Sequence, residues 1–158
     1  MTVGNGITSI AYAAFSGCTC LRSVSIPGSV TRIGNEAFEG CTNLKTVQLH
    51  EGLQKIGTSA FCSTGVKSVI IPKTVNRIQS GAFSHCTNLL RITFNGNAPI
   101  VESGAFSGTT ATAYYPELNG SWQRIMDRCD ENLTWALVCT NHSYISGVCE
   151  RCGSQKGA

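Results

Sequence analysis

The sequence predicts a repeat solenoid built mainly from short β-strands, and two series of apolar residues carry that prediction. The first is a phenylalanine that returns at intervals of 23, 23, 22 and 23 residues, at Phe15, Phe38, Phe61, Phe83 and Phe106. The second is an aliphatic residue five positions before each phenylalanine, at Ile10, Ile33, Ile56, Ile78 and Val101. A period in the low twenties is typical of a solenoid, because no single coil can bury its own apolar face and stacked coils share one core.

Composition agrees with this fold class and limits the function. A chain of 158 residues can hold one ordinary domain and a small appendage. Only 13% of the residues are charged and 17 are glycine, which favours short strands and turns over helices. A net charge of +3 is too small to indicate a nucleic-acid partner. No segment has the length of a membrane helix, so we expect no membrane insertion, and we expect a monomer.

Each unit is predicted to contain a strand in which apolar and polar residues alternate. In the third unit Val47 and Leu49 should point inward, and Thr46 and Gln48 outward. Stacked coils then form a narrow parallel sheet. The third unit is one residue shorter after Phe61, in a turn where a deletion is tolerated.

A second extended side is predicted at residues 30–33, 53–56 and 75–78, which occupy one offset of the repeat. The connections contain Gly34, Gly57 and Gly104, and we expect unusual backbone angles at these three positions. The alanine and phenylalanine of each unit should pack beneath the turn that leads to the next strand.

The repeat unit reads L-x-x-V-x-I-P-x-x-V-x-x-I-x-x-x-A-F-x-x-C-x-x. It resembles the BspA-like family of surface leucine-rich repeats, whose unit has the same L-x-x-L-x-L opening and the same A-F-x-x-C segment. The resemblance covers residues 3 to about 137 in five tandem matches. It implies a right-handed coil of about five units of 22–23 residues. The asparagine of ordinary leucine-rich repeats is missing, since Ser29 and Thr74 stand in its place.

The chain is predicted to divide into four parts: repeats at 1–116, a C-terminal cap at 117–138, a Cys/His knuckle at 139–153 and a flexible tail at 154–158. In the cap, Ser121 is a candidate helix N-cap. Four residues then follow at helical spacing, at Trp122, Ile125, Met126 and Cys129. A strand at 133–138 should complete a lid over the end of the solenoid.

Three of the nine cysteines share one repeat offset, three residues after the phenylalanine, at Cys18, Cys41 and Cys86. Thr64 and Thr109 take this position in two other units. A small buried residue in a tight turn is one interpretation, because free cysteine is suited to it. Disulfides between neighbouring coils are the alternative, since strands lie only ~5 Å apart.

The tail carries the clearest chemical motif, C-x2-H, six residues, then C-x2-C, formed by Cys139, His142, Cys149 and Cys152. Three thiolates and one imidazole suit tetrahedral Zn²⁺, and four protein ligands make such a zinc structural. A disulfide, Cys149–Cys152 or Cys139–Cys149, is an alternative in an oxidising setting. A redox C-x2-C is another, although no thioredoxin-like βαβ pattern surrounds it.

Two columns of basic residues are the candidate partner-binding sites. Arg22, Lys45 and Lys67 share an offset in the strand unit, and Arg32, Lys55 and Arg77 share one on the second side. Equal offsets stack at about 5 Å per coil, so each column would be a line of like charges that could attract an anionic partner. The alternative is that these side chains simply solvate a face.

We predict no catalytic residues, because His50 and His85 lack partner acids and the carboxylates are scattered. The family resemblance implies an extracellular or cell-surface adhesion module whose partner is a host or microbial protein or glycan. A passive spacer that projects neighbouring domains is the alternative function. The first residues lack the features of a signal peptide, and the chain starts within a repeat unit, so we expect it to be a piece of a longer protein.

Overall fold

The chain winds as a coil in which successive turns add strands to two parallel sheets. The computed structural model describes residues 1–116, 120–126, 133–138, 144–145 and 148–149. The elements in chain order are β1 (Ser9–Ile10), β2 (Ser23–Ile26), β3 (Arg32–Ile33), β4 (Thr46–Leu49), β5 (Lys55–Ile56), β6 (Ser68–Ile71), β7 (Arg77–Ile78), β8 (Arg91–Phe94), β9 (Ile100–Val101), β10 (Thr112–Tyr115), α1 (Gly120–Met126), β11 (Thr134–Leu137), β12 (Tyr144–Ile145) and β13 (Val148–Cys149).

The two sheets confirm the predicted solenoid. The long sheet has the order β11-β10-β8-β6-β4-β2, and the short sheet has the order β1-β3-β5-β7-β9. All strand pairs in both sheets are parallel. Within the repeats, residues at the same position of neighbouring units face each other, as Ile33 and Ile56 do. In β4, Val47 is buried and Thr46 and Gln48 are exposed, as the alternation predicts, whereas Leu49 is only half-buried.

The third side of each coil is a turn that carries the repeated phenylalanine. Its amide donates to the next coil, as in the hydrogen bond from Phe38 N to the Ala60 carbonyl at 2.8 Å. The residues two positions before and two positions after each phenylalanine are left-handed, with φ between +50° and +73°. They are Ala13, Glu36, Ser59, Gly81 and Gly104 before it, and Gly17, Gly40, Ser63, His85 and Gly108 after it.

The glycine prediction is correct at Gly104 and wrong at Gly34 and Gly57. Gly104 has a positive φ, but Gly34 and Gly57 do not. These two are needed for space, because a Cβ on Gly34 would lie 2.7 Å from the Ala11 carbonyl carbon and one on Gly57 would lie 2.7 Å from the Asn35 nitrogen. Their role is therefore to let backbones of neighbouring coils approach each other.

The core runs along the axis of the coil between the sheets and the turns. Phe38, Phe61, Phe83 and Phe106 are fully buried and stack on one another, with Phe15 half-buried at the outer end.

From the second coil onward, the position three residues after phenylalanine is a buried hydrogen-bond donor. Cys41 Sγ donates to the Phe15 carbonyl and Cys86 Sγ to the Phe61 carbonyl, both at 3.0 Å. Thr64 fills the same position and donates to Phe61 O at 2.9 Å. Cys18, Cys41 and Cys86 are free thiols, and Cys18 is exposed because no coil packs over it among the described residues.

The C-terminal cap packs against the last coils through an aromatic cluster. Trp122 in α1 is fully buried, with its ring 4.9 Å from that of Phe94 and 5.5 Å from that of Tyr115. After α1 the chain returns as β11, which extends the long sheet beside β10. The prediction of Ser121 as the N-cap is wrong, because α1 begins at Gly120 and includes Ser121 in its first turn.

Within the described parts of the chain, no helix has the length and apolar character needed to cross a membrane. The predicted flexible tail at 154–158 lies outside the described residues, as does Cys129 of the helical stripe.

Candidate binding surface

The short sheet presents a column of cationic side chains on its outer face. Register pairing places Arg32 opposite Lys55 and Lys55 opposite Arg77. The next residue of each strand is a fully buried isoleucine, at Ile33, Ile56 and Ile78. Because successive residues of a strand point to opposite faces, the three cations share the outward face.

The last cation of this column is neutralised by its neighbour. Arg77 donates to the Glu102 carboxylate at 2.9 Å, and the Ser80 amide donates to the other oxygen at 3.1 Å. These hydrogen bonds, first of all that from Arg77, lower the pKa of Glu102 below its ordinary value. Among the described residues, Arg32 and Lys55 form no ion pair. The uncompensated positive charge of this face is therefore concentrated on two neighbouring coils.

A column of uncharged polar residues runs beside the cations. It consists of Thr8, Thr31, Gln54 and Asn76, which are all exposed. Their backbones are held in register by hydrogen bonds such as Gln54 N to the Thr31 carbonyl at 2.8 Å. Together the two columns line an open groove of about 490 Å³ that crosses four coils.

Arg32 and Lys55 also border a second hollow, of about 500 Å³, on their other side. Tyr12 and Asn35 lie in its wall. The Tyr12 hydroxyl donates to the Glu36 carboxylate at 2.8 Å, and this hydrogen bond raises the pKa of Tyr12. Arg32 and Lys55 are thus accessible from two open hollows.

The second predicted column, Arg22, Lys45 and Lys67, lies immediately before strands of the long sheet. All three residues are exposed. The Lys45 amide donates to the Arg22 carbonyl at 2.9 Å, which keeps these residues in register. The column continues into Leu90, which is 67% exposed and whose amide donates to the Lys67 carbonyl. Here the line of charge ends in an apolar side chain rather than an ion pair.

Comparison with known proteins agrees with the repeat fold. Residues 6–132 match, in 6 copies, the family described as the BspA type leucine rich repeat region. The chain belongs to this family. No curated protein matches the sequence.

Two solved structures share the fold of this BspA-type repeat chain. The pneumococcal vaccine antigen PcpA is 22% identical with a TM-score of 0.57, and the similarity covers 70% of this chain and 36% of PcpA. A leucine rich cell surface protein from Faecalibacterium prausnitzii A2-165 is 24% identical with a TM-score of 0.50, covering 92% of this chain and 46% of that protein. The chain therefore spans less than half the length of either relative.

The structure describes only one of the four predicted zinc ligands of this BspA-type chain. Cys139, His142 and Cys152 lie outside the described residues. Cys149 lies in β13, whose backbone pairs antiparallel with β12 and places Cys149 opposite Tyr144. Among the described residues, no group of three or more His, Cys, Asp or Glu side chains could hold a metal ion.

Three potential nucleophiles or bases in the repeats, Cys41, Cys86 and His50, have structural roles. Burial raises the pKa values of the Cys41 and Cys86 thiols, which stay protonated and donate to carbonyl oxygens. His50 Nδ1 lies 2.8 Å from the Ile26 carbonyl oxygen, so that nitrogen carries the proton. None of these three groups is held in a state that activates a nucleophile.

Sequence reasoning missed the column of Thr8, Thr31, Gln54 and Asn76. Each lies one residue before a member of the short-sheet column Ser9, Arg32, Lys55 and Arg77, so the equal offset could have identified them. The residue types differ from coil to coil, and only polarity is shared. A search for identical side chains therefore overlooks them.

Proposed function

We propose that this chain is a non-catalytic binding module that acts at the cell surface or after secretion. Its partner is a host or microbial extracellular protein or glycan, and the contact is made by an outward face of the solenoid. The observation that carries this proposal is the column of Arg32 and Lys55, which are held in register on neighbouring strands without an acidic partner among the described residues. Like charges at this spacing repel each other, and an anionic partner would relieve the repulsion.

The rigid frame supports a binding role. Each strand on this face is fixed by backbone hydrogen bonds to the coils beside it, so few backbone degrees of freedom remain to be lost on association. A solenoid also offers one continuous face along several coils, which is the kind of surface that repeat proteins use for recognition.

The relatives support the proposed location. One solved structure with this fold is described as a vaccine antigen and another as a cell surface protein. At 22% and 24% identity these relatives show only that the fold is shared. That this chain has the same cellular location is part of the proposal.

We also propose that Cys139, His142, Cys149 and Cys152 hold one structural zinc ion. The support is the donor set itself, three thiolates and one imidazole in two chelating pairs, each with a two-residue gap. Such a site would stabilise the segment that follows the cap without taking part in catalysis.

The binding module can be separated from a passive spacer by a surface-binding assay. The purified chain is presented to immobilised extracellular-matrix proteins and to immobilised glycans, with albumin-coated wells as the blank. We expect saturable binding to at least one coated surface, weakened by added salt. Absence of saturable binding to every surface would leave the spacer as the better description.

A double variant then shows whether cations make the contact. Lys45→Glu with Lys55→Glu reverses one charge in each basic column, and both residues lie in the middle coils. We expect it to weaken binding to an acidic partner and to reduce the salt dependence. Unchanged binding would move the contact to another surface of the solenoid.

A further inference from the structure

The groove on the short sheet repeats the same pair of positions on four successive coils. One column is Thr8, Thr31, Gln54 and Asn76, and the other is Ser9, Arg32, Lys55 and Arg77. Neighbouring coils are about 5 Å apart, so the four coils offer hydroxyl and amide groups along about 15 Å. A ligand that uses this groove fully must itself repeat polar groups along a line.

Hydroxyl and amide side chains suit a ligand that is rich in hydroxyl groups. Thr8 and Thr31 can each donate and accept a hydrogen bond, and Gln54 and Asn76 carry separate donor and acceptor atoms. Of the four side chains, Thr31 already donates to a backbone carbonyl, that of Thr8, at 3.2 Å. A sugar ring presents both hydrogen-bond donors and acceptors around its edge, so the side chains of this column can pair with it either as donors or as acceptors.

The cations require the ligand to carry negative charge, and they define where along the groove that charge lies. Arg32 and Lys55 lie on adjacent coils in the middle of the groove, without an ion pair among the described residues. Arg77 is compensated by Glu102. A carboxylate or sulfate group at the middle coils would therefore meet free cations, and Arg32 can hold an oxyanion through two parallel hydrogen bonds.

The groove also lacks what a protein partner would use. Protein interfaces depend on a few large aromatic or aliphatic residues that fill pockets near the centre of the contact. Among the described residues the groove is lined only by polar and charged side chains. The exposed Ile7 and Tyr12 are close in sequence to its first coil but are not part of this lining, and the exposed Ile70 and Leu90 lie on the long-sheet side. The cation column itself becomes apolar only in the next coil, at Ile100. The groove thus favours a hydrophilic polymer over a folded protein surface.

From these observations we infer that the short-sheet groove binds an acidic linear glycan laid along the solenoid axis. Its carboxylate or sulfate groups lie at Arg32 and Lys55, and its hydroxyl groups pair with Thr31, Gln54 and Asn76. The inference rests on the proposed function as a binding module and names the class of ligand and the face that takes it.

The test is isothermal titration calorimetry with three probes of the same length. They are hexagalacturonate, its fully methyl-esterified form, which lacks the charge, and a heparin hexasaccharide, which carries sulfate. We expect one or both acidic probes to bind and the methyl ester to bind at least about tenfold more weakly, equivalent to ~1.4 kcal/mol. The comparison of hexagalacturonate with heparin, which carries carboxylate as well as sulfate groups, shows whether added sulfate groups strengthen binding.

Two charge-matched double variants locate the site. Arg32→Glu with Lys55→Glu changes the groove, and Lys73→Glu with Arg91→Glu makes the same change of charge at two exposed residues outside both basic columns. We expect the first pair to lose about tenfold or more in affinity for the acidic probe and the second less than about twofold, because exposed distant charges are screened. Arg32→Gln with Lys55→Gln provides a milder variant, and an unchanged melt confirms that each variant is folded.

Three comparisons of affinity would overturn the inference, and so would the failure of all three sugar probes to bind. The first is equal loss of affinity in both double variants, and the second is equal binding of the charged and methyl-esterified probes. The third is tighter binding of a poly-glutamate peptide than of any acidic glycan, which would assign the groove to an acidic protein segment. If the coated-surface assay is positive and all three sugar probes fail, the glycan inference falls and the binding module stands. If the coated-surface assay is negative as well, both fall.

Discussion

The Phe38 and Phe61 rings lie face to face, with centroids 5.2 Å apart and planes inclined by only 2°. Aromatic pairs in proteins have ring centroids about 4.5–7 Å apart, and the distance of 5.2 Å lies within this range. The spacing is close to the separation of neighbouring strands, so the same coil repeat that pairs the strands also stacks the rings.

Removing one ring from the middle of this stack should destabilise the protein strongly. Phe61 is fully buried between Phe38 and Phe83, each 5.2 Å away between centroids. We expect Phe61→Ala to lower the free energy of unfolding by about 3–5 kcal/mol, the usual range for emptying an aromatic site in a core. Thermal and urea denaturation followed by circular dichroism would measure the change.

Phe15→Ala is the matched control for that variant. The Phe15 ring stacks on Phe38 on one side only and is half-buried. Phe15→Ala should therefore lower the free energy of unfolding clearly less than Phe61→Ala does. Equal losses in the two variants would contradict the assignment of Phe61 to a central position in the stack.

The sequence predicted the parts of the fold that depend on burial, because burial selects residue types that repeat. The phenylalanines, the isoleucines of the short strands and the buried Trp122 are all recognisable by apolar character and spacing. The roles of Gly34 and Gly57 were misassigned, since sequence cannot distinguish a glycine needed for φ from one needed for space.

The left-handed positions were hidden from sequence analysis for a related reason. Every coil adopts a positive φ two residues before and two residues after its phenylalanine, but Glu36, Ser59 and His85 occupy such positions without being glycine. The groove was hidden in the same way, because Thr31, Gln54 and Asn76 share polarity but not identity. Positions that are selected by backbone geometry or by polarity alone are less similar in sequence from unit to unit than positions that are selected by burial in the core.

Glycine at one of these left-handed positions should stabilise the solenoid. Ser59 has φ +52°, a conformation that costs an L-residue with a side chain about 1–2 kcal/mol and glycine little. Part of the gain is offset by the larger entropy of the unfolded glycine chain. We expect Ser59→Gly to raise the free energy of unfolding by about 0.5–1 kcal/mol, measured by urea denaturation.

The reverse substitution at the equivalent type of position provides the control. Gly40 has φ +69°, and a Cβ there would meet no atom closer than 3.9 Å. Gly40→Ala therefore tests backbone conformation without a steric clash, and we expect a loss of about 1 kcal/mol. If Ser59→Gly destabilises and Gly40→Ala has no effect, the left-handed geometry assigned to these turns is wrong.

The Arg77–Glu102 pair should make a small, pH-dependent contribution to stability. The folded protein lowers the pKa of Glu102, so the contribution is complete above the unfolded pKa, about 4.3 for a free glutamate. It is lost as the pH falls through the lower folded pKa. Because both side chains are partly exposed, we expect Glu102→Gln to cost less than about 1 kcal/mol at neutral pH.

An NMR titration of the Glu102 carboxyl group checks the direction of this shift. In the native protein the carboxyl should titrate below the ordinary glutamate range, and in Arg77→Ala it should move back towards that range, because the hydrogen bond from Arg77 is the largest cause. An unchanged titration in Arg77→Ala would assign the shift to the Ser80 amide and the Gln79 side chain instead.

The proposed zinc site makes a prediction that is independent of the solenoid. Protein purified under reducing conditions should contain one zinc per chain, and replacement by Co²⁺ should give the absorption of a thiolate-bound ion. Cys149→Ser should abolish both signals, because the loss of one of four ligands breaks the tetrahedral set. Metal analysis and visible absorption spectroscopy measure the two effects.

Cys20→Ser is the control for the loss of a thiol as such, since Cys20 is an exposed free cysteine in the first coil. It should leave the metal content unchanged. Neither variant should alter the solenoid melt appreciably, because each coil depends on the coils beside it and the four ligands follow β11 in the chain. Removal of zinc by a chelator should reproduce the Cys149→Ser result. Zinc-free protein under reducing conditions, or an intact disulfide among Cys139, Cys149 and Cys152, would eliminate the zinc site and assign these cysteines to an oxidised loop.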